Sequence, residues 1–103
     1  MKNILLVCAG GMSTSMLVTR MVEHAATINV NVNINALGIV EAKGKIKNNE
    51  VDIVLLAPQV RFQKSELEAL ASGKIPIIVI EMKEYGAMNG KVVLESALNI
   101  LQR

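Results

Sequence analysis

The hydrophobic and polar positions divide the chain into short, well-punctuated segments. Residues 4–7 (Ile-Leu-Leu-Val) are unbroken apolar, so 3–8 reads as a strand covered on both faces. Ser13, Thr14 and Ser15 then offer N-cap hydroxyls, and Leu17, Met21, Ala25 and Ile28 share one stripe, which predicts a helix over 13–27. Residues 30–36 alternate strictly between asparagine and an apolar side chain, as in a strand with one wet face at a sheet edge. A short helix over 39–48 is weakened by Gly44 and ended by Asn48-Asn49. Residues 52–57 form a second buried strand, stopped by Pro58. A helix over 63–71 ends at Ser72-Gly73, and Pro76 opens a strand over 77–80. A polar loop, 81–89, leads to a last helix over 90–101.

The order is therefore βαβαβαβα, with crossovers of helix length. Such an order predicts an α/β fold, a four-stranded parallel open sheet with right-handed crossovers and helices on both faces. Strand order 2-1-3-4 places the alternating strand at an edge, as its pattern requires. In sheets of this kind ligands sit beyond the carboxyl ends of the strands, near the point where strand order reverses. That rim collects residues 8–13, 58–62 and 81–89. No repeat, linker or low-complexity segment divides the chain, so 1–103 reads as one domain.

Composition narrows the function. The chain is 51% hydrophobic, yet no apolar run approaches the ~18 residues a membrane-spanning helix needs. The apolar run after Lys2 is also shorter than the roughly 7–15 residues of a signal-peptide core, and Val7 is not the small residue a lipoprotein site wants before its cysteine. A cytoplasmic protein is the expectation. One cysteine and one histidine leave no disulfide, no zinc cluster and no implied metal or cofactor. A net charge of +2, two aromatic residues and scattered basic residues give nucleic-acid binding little support. Lys43, Lys45 and Lys47 read as a solvated helix face.

The candidate chemistry lies in Cys8-Ala9-Gly10-Gly11-Met12-Ser13-Thr14-Ser15, a small-residue loop between the first strand and the first helix. A junction of this type points backbone N–H groups and a helix dipole at one spot, where an anion would be held and a thiol acidified. A lone cysteine beside apolar residues is most often a small core hydrophobe; the two glycines and three consecutive hydroxyls argue for more. Neither Gly-Lys-[Ser/Thr] nor Gly-x-Gly-x-x-Gly is present. The spacing comes nearest to the cysteine phosphatase loop, Cys-x5-Arg-[Ser/Thr], but Thr14 stands at the arginine position. The bidentate clamp on a transferring phosphoryl group is thus lost. Asp52, the single aspartate, starts a strand at the opposite sheet edge from the cysteine, and nothing specific supports the rim glutamates Glu81 and Glu84 as a substitute general acid. A carrier of a phosphoryl group fits better than a hydrolase. A low-molecular-weight phosphatase-like hydrolase and a non-catalytic anion-binding module remain the alternatives.

The cysteine loop with Met16-Leu17-Val18, the Ala57-Pro58-Gln59-Val60 segment and Tyr85-Gly86 together resemble the IIB components of bacterial sugar phosphotransferase systems, in the lactose/cellobiose (diacetylchitobiose, lichenan) family. The resemblance spans essentially the whole chain and implies the low-molecular-weight tyrosine phosphatase type of fold. It implies that Cys8 accepts a phosphoryl group from a phosphohistidine on a IIA partner. Cys8 then passes the group to a β-linked disaccharide of cellobiose, lichenan or chitobiose type, bound by a membrane IIC permease. It also implies that Ala9, Gly10, Gly11, Met12, Ser13, Thr14 and Ser15 cradle the phosphate. The chain would be a cytoplasmic monomer docked transiently at the permease. Pro58, Gln59, Arg61, Phe62, Tyr85 and Met88 are candidate rim residues for IIA and IIC. Asn89 stands where relatives are expected to carry aspartate. His24, about three turns down the first helix, is read as a boundary residue and not as a phosphorylated group.

Overall fold

The computed structural model describes residues 1–10 and 14–102. Strand β1 (Lys2–Cys8) leads to α1 (Ser15–Thr27), β2 (Val32–Gly38), α2 (Ile39–Lys47) and β3 (Ile53–Leu56). A 3-10 helix over Pro58–Gln63 runs into α3 (Lys64–Ala71). The chain then continues through β4 (Ile77–Val79), α4 (Met82–Gly86) and α5 (Gly90–Leu101). The strands form one parallel sheet in the order β2-β1-β3-β4. Helix α1 packs on α5, and α2 on α3, as right-handed crossovers to either side of β1 require.

The pattern of apolar positions explains the layers. Ile4 to Cys8 and Ile53 to Leu56 are buried because these two central strands are covered on both faces. On the edge strand β2, Ile34 is buried while Asn33 and Asn35 face outward. On α1 the stripe Leu17, Met21 and Ala25 is buried. Ile28, assigned to the same stripe, is 40% exposed because the helix stops at Thr27. Lys43 and Lys45 are indeed a solvated face, paired with Glu66 at 3.0 Å and Glu50 at 3.3 Å.

Three helix ends share one stop. Asn29, Asn49 and Met88 take positive φ (57°, 58° and 51°), and the residue after each donates back to the carbonyl five positions earlier, on Ala25, Lys45 and Glu84. This is the Schellman closure, in which a left-handed residue satisfies the last carbonyls of a helix. Asparagine tolerates that conformation, and each of the two follows the C-cap residue of its helix, Ile28 and Asn48.

Several sequence expectations are corrected. Strand β2 runs from Val32 to Gly38, two residues later than the alternation suggested, because its ladder with β1 continues to Cys8↔Gly38. Residues 58–62, expected as loop, form most of a 3-10 helix, Pro58 supplying the fixed φ of its first position. The polar loop 81–89 contains α4, closed by the left-handed Met88. Helix α1 is described from Ser15, and its N-cap residue Thr14 makes no side-chain capping bond.

Gly90, the first residue of α5, sits directly on the backbone of α1. A Cβ there would lie 2.5 Å from the Arg20 carbonyl carbon and 2.6 Å from the Met21 nitrogen. Helix α5 can approach α1 this closely only without a side chain at that position. Gly90→Ala should therefore lower stability by about 1–3 kcal/mol through overpacking against rigid backbone, seen as a lower urea midpoint at unchanged m-value. Gly44→Ala, where nothing lies within 4 Å of the added carbon, should raise the midpoint.

Candidate functional site

Parallel register fixes the site. Cys8, the last residue of β1, stands beside Gly38, the last of β2. On the other side the Ala57 N–H donates to the Val7 carbonyl at 2.8 Å, and the Ile80 N–H donates to the Leu56 carbonyl, also at 2.8 Å. The carboxyl ends of all four strands thus open on one rim, and Cys8 sits at the centre of it, where the connections diverge to either side.

Cys8 is 2% exposed and Thr14 fully buried. The Thr14 hydroxyl, free of any capping duty, is directed at Cys8 Sγ across 4.0 Å, a long and weak donor contact. Position 14, where a cysteine phosphatase would hold arginine, is therefore a buried position against the sulfur. Ala9 and Gly10 are exposed and carry the chain out of the sheet. Ser15, also exposed, opens α1, whose positive end faces the rim. Gly11, Met12 and Ser13, assigned to the cradle, lie outside the described residues.

Among the rim candidates, Pro58 is buried beneath its neighbours and Gln59 is exposed. Arg61 folds back so that Nη1 donates to the Pro58 carbonyl at 2.8 Å, which steadies the 3-10 helix. Phe62 is 76% exposed. Tyr85, a candidate for either packing or the rim, is only 6% exposed and belongs to the core. Met88 is half-buried and serves as the left-handed stop of α4. Asn89 caps α5, its Oδ1 accepting from the Val92 N–H at 3.2 Å.

Residues assigned no part in the chemistry have structural occupations. The Asp52 carboxylate accepts the Asn3 N–H at 2.7 Å, and the Asp52 N–H returns a bond to the Asn3 carbonyl at 2.8 Å. That pair ties the starts of β1 and β3 together, at the far edge of the sheet from Cys8. His24 bridges α1 to α5 through Glu95, with Nε2 and Oε2 2.7 Å apart. Among the described residues no cluster of histidine, cysteine, aspartate and glutamate could hold a metal ion, and no helix is long and apolar enough to cross a membrane.

The structure adds two features. First, Met16, Val40, Phe62 and Met82 are 53%, 76%, 76% and 66% exposed. Each lies just beyond the carboxyl end of a different strand: Met16 after β1, Val40 after β2, Phe62 after β3 and Met82 after β4. Sequence reasoning singled out only Phe62; the others fall in first turns of helices, where exposure depends on the crossover direction. Second, Gly38 presses against the cysteine loop. A Cβ at Gly38 would meet the Ala9 carbonyl oxygen at 3.2 Å and Glu41 Oε2 at 3.1 Å, and that same Oε2 accepts the Gly38 N–H at 3.2 Å. The Gly-x-x-Glu spacing is the legible trace of this cap.

The chain's relatives share this arrangement. A family profile described as "PTS system, Lactose/Cellobiose specific IIB subunit" matches residues 3–96. The oligo-beta-mannoside-specific EIIB component of the Bacillus subtilis (strain 168) PTS is 44% identical, covering 98% of this chain and 97% of its own. The cellobiose-specific EIIB component of Lactococcus lactis subsp. lactis (strain IL1403) is 38% identical, over 97% of this chain and 96% of its own. The solution structure of a cellobiose-specific phosphotransferase IIB component from Borrelia burgdorferi superposes with a TM-score of 0.80 at 45% identity, covering 98% and 92% of the two chains. The lactose-specific IIB domain from Streptococcus pneumoniae superposes with a TM-score of 0.83 at 25% identity, over 95% of each. On the sheet order, the cysteine-centred rim and these end-to-end matches, the chain belongs to the lactose/cellobiose IIB family of sugar phosphotransferase components.

Proposed function

We propose that Cys8 is the phosphoryl carrier of this IIB component. The observation that carries the reading is its position: the one cysteine of the chain ends the central strand β1 at the rim where all four strand termini meet. The Cys8 thiolate attacks the phosphorus of a phosphohistidine on IIA. The S–P bond forms as the N–P bond breaks, and the electron pair stays on the imidazole nitrogen. In the second half-reaction a hydroxyl of the sugar held by IIC attacks phosphorus and the S–P bond breaks. Cys8 is restored as thiolate, and the hydroxyl proton leaves to a base of the IIC site or to water. The cradle of residues 9–15 supplies backbone N–H groups and hydroxyls to the equatorial oxygens.

The sugar is proposed to be a β-linked disaccharide, a class consistent with the cellobiose and oligo-beta-mannoside specificities named for relatives. The work is cytoplasmic, with docking at the permease. The four exposed apolar side chains Met16, Val40, Phe62 and Met82, one behind each strand, make an apolar border round the cysteine. Methionines and a lone phenylalanine adapt to more than one partner surface, as a carrier that visits IIA and IIC in turn requires.

Two tests follow from this reading. Incubated with phosphoenolpyruvate, the general phosphotransferase proteins and a matched IIA, the wild-type chain should gain a single phosphoryl group by intact mass, and Cys8→Ser should gain none. An unmodified wild-type chain would refute the carrier role, and steady phosphate release from an aryl phosphate by the protein alone would favour a hydrolase. Separately, Phe62→Asp should slow transfer from IIA by about tenfold or more, the loss of one apolar anchor at an interface. Its urea midpoint should stay unchanged, since the side chain is exposed.

A further inference from the structure

Glu41 is joined to the neighbourhood of the cysteine loop through Gly38. Its Oε2 accepts the Gly38 N–H at 3.2 Å, and Gly38 is the register partner of Cys8. The Cβ position of Gly38 is flanked by Glu41 Oε2 at 3.1 Å on one side and by the Ala9 carbonyl oxygen at 3.2 Å on the other, with the Gly10 carbonyl carbon at 3.5 Å. The first peptide of the loop and the Glu41 carboxylate thus both lie against Gly38. A trans peptide turns its N–H opposite to its C=O, and no peptide of the described residues is cis. The Ala9 carbonyl faces Gly38, so the Gly10 N–H is turned away from β2 and Glu41.

We propose that Glu41 is a positioning residue that sets the free energy of the phosphoryl group on Cys8; this rests on the carrier reading above. It acts twice. Through Gly38 it fixes the peptide from which the cradle departs. Through its charge it disfavours the phosphorylated state, because a phosphorylated side chain carries about −1.5 to −2 at neutral pH and like charges on neighbouring strand ends repel. No covalent step is assigned to it. The consequence suits a relay: a carboxylate held on the strand end next to Cys8 keeps the group from being held too well and favours its onward transfer. A helix cap alone would have no such effect, and Asp, Asn or Ser at position 38 would cap α2 without Glu41. Each of those residues, however, carries a Cβ that would meet the Ala9 carbonyl oxygen at 3.2 Å, a tight approach that the loop peptide would have to yield to.

Two variants separate charge from cap. In Glu41→Gln the amide oxygen still accepts from Gly38 N–H but the charge is gone; in Glu41→Ala both are lost. Each is equilibrated with a matched phosphorylated IIA, and the ratio of phosphorylated to free chain is read by intact mass at several ionic strengths. Glu41→Gln should raise that ratio roughly three- to tenfold at low salt, the effect shrinking as salt screens the interaction, with an unchanged urea midpoint. Glu41→Ala should raise it less than Glu41→Gln, because the loop peptide is no longer fixed, and should also lower the midpoint. A wild-type-like ratio in Glu41→Gln, while the wild type itself is phosphorylated at Cys8, would overturn the proposal and leave Glu41 as a helix cap only. A wild-type chain that takes no phosphoryl group would overturn the Cys8 reading, and this one with it.

Discussion

The structure depends on β1 being hydrogen-bonded along both sides. Its ladder with β2 runs from Lys2↔Val32 to Cys8↔Gly38, and its ladder with β3 from Ile4↔Ile53 to Val7↔Leu56. A strand so held has no freedom to slide, because a shift of one residue would break both ladders and the Asn3–Asp52 bonds together. Cys8 inherits that rigidity. Its place is set by two neighbouring strands and by the layers that bury them. The Asn3–Asp52 pair locks the other end of the same two strands, with bonds of 2.7 and 2.8 Å. The site is positioned from the sheet outward.

Much of this was legible in the sequence, and for physical reasons. Buried strands declare themselves as unbroken apolar runs, so β1 and β3 were read within a residue or two of their observed ends. The alternation over 30–36 marked an edge strand because only an edge can leave Asn33 and Asn35 wet. The element order and crossover lengths then left the 2-1-3-4 sheet as the natural arrangement, and with it the rim bearing Cys8.

What was not legible depended on contacts between elements far apart in the chain. Nothing near Gly90 says that its hydrogen will rest on the α1 backbone, nor does Tyr85, flanked by Glu84 and Gly86, announce that it turns inward. Helix α4 is five residues long and closed by a left-handed methionine, and neither its length nor Met88 gives a signal that pattern reading can use. Thr14 is the instructive case. As one of three consecutive hydroxyl residues before a helix it reads as a cap. The fold instead buries it and turns its oxygen toward Cys8 Sγ. The local preference was outweighed by the need to fill the space against the sulfur.

That placement bears on why the loop suits carrying over hydrolysis. A phosphatase needs a cation over the transferring group and an acid for the leaving group. Here position 14 is a packed threonine, and the single aspartate is committed to the strand starts. Arg61, the nearest arginine by sequence to the rim, spends a donor on the Pro58 carbonyl. The carboxylate joined to the loop's neighbourhood through Gly38, Glu41, is of the sign that would raise the energy of a bound phosphoryl group. A site built from neutral N–H donors, with one negative charge on the neighbouring strand end, would bind the group firmly enough to accept it and loosely enough to release it. On this view the absence of a clamp is as much a part of the chemistry as the cysteine itself.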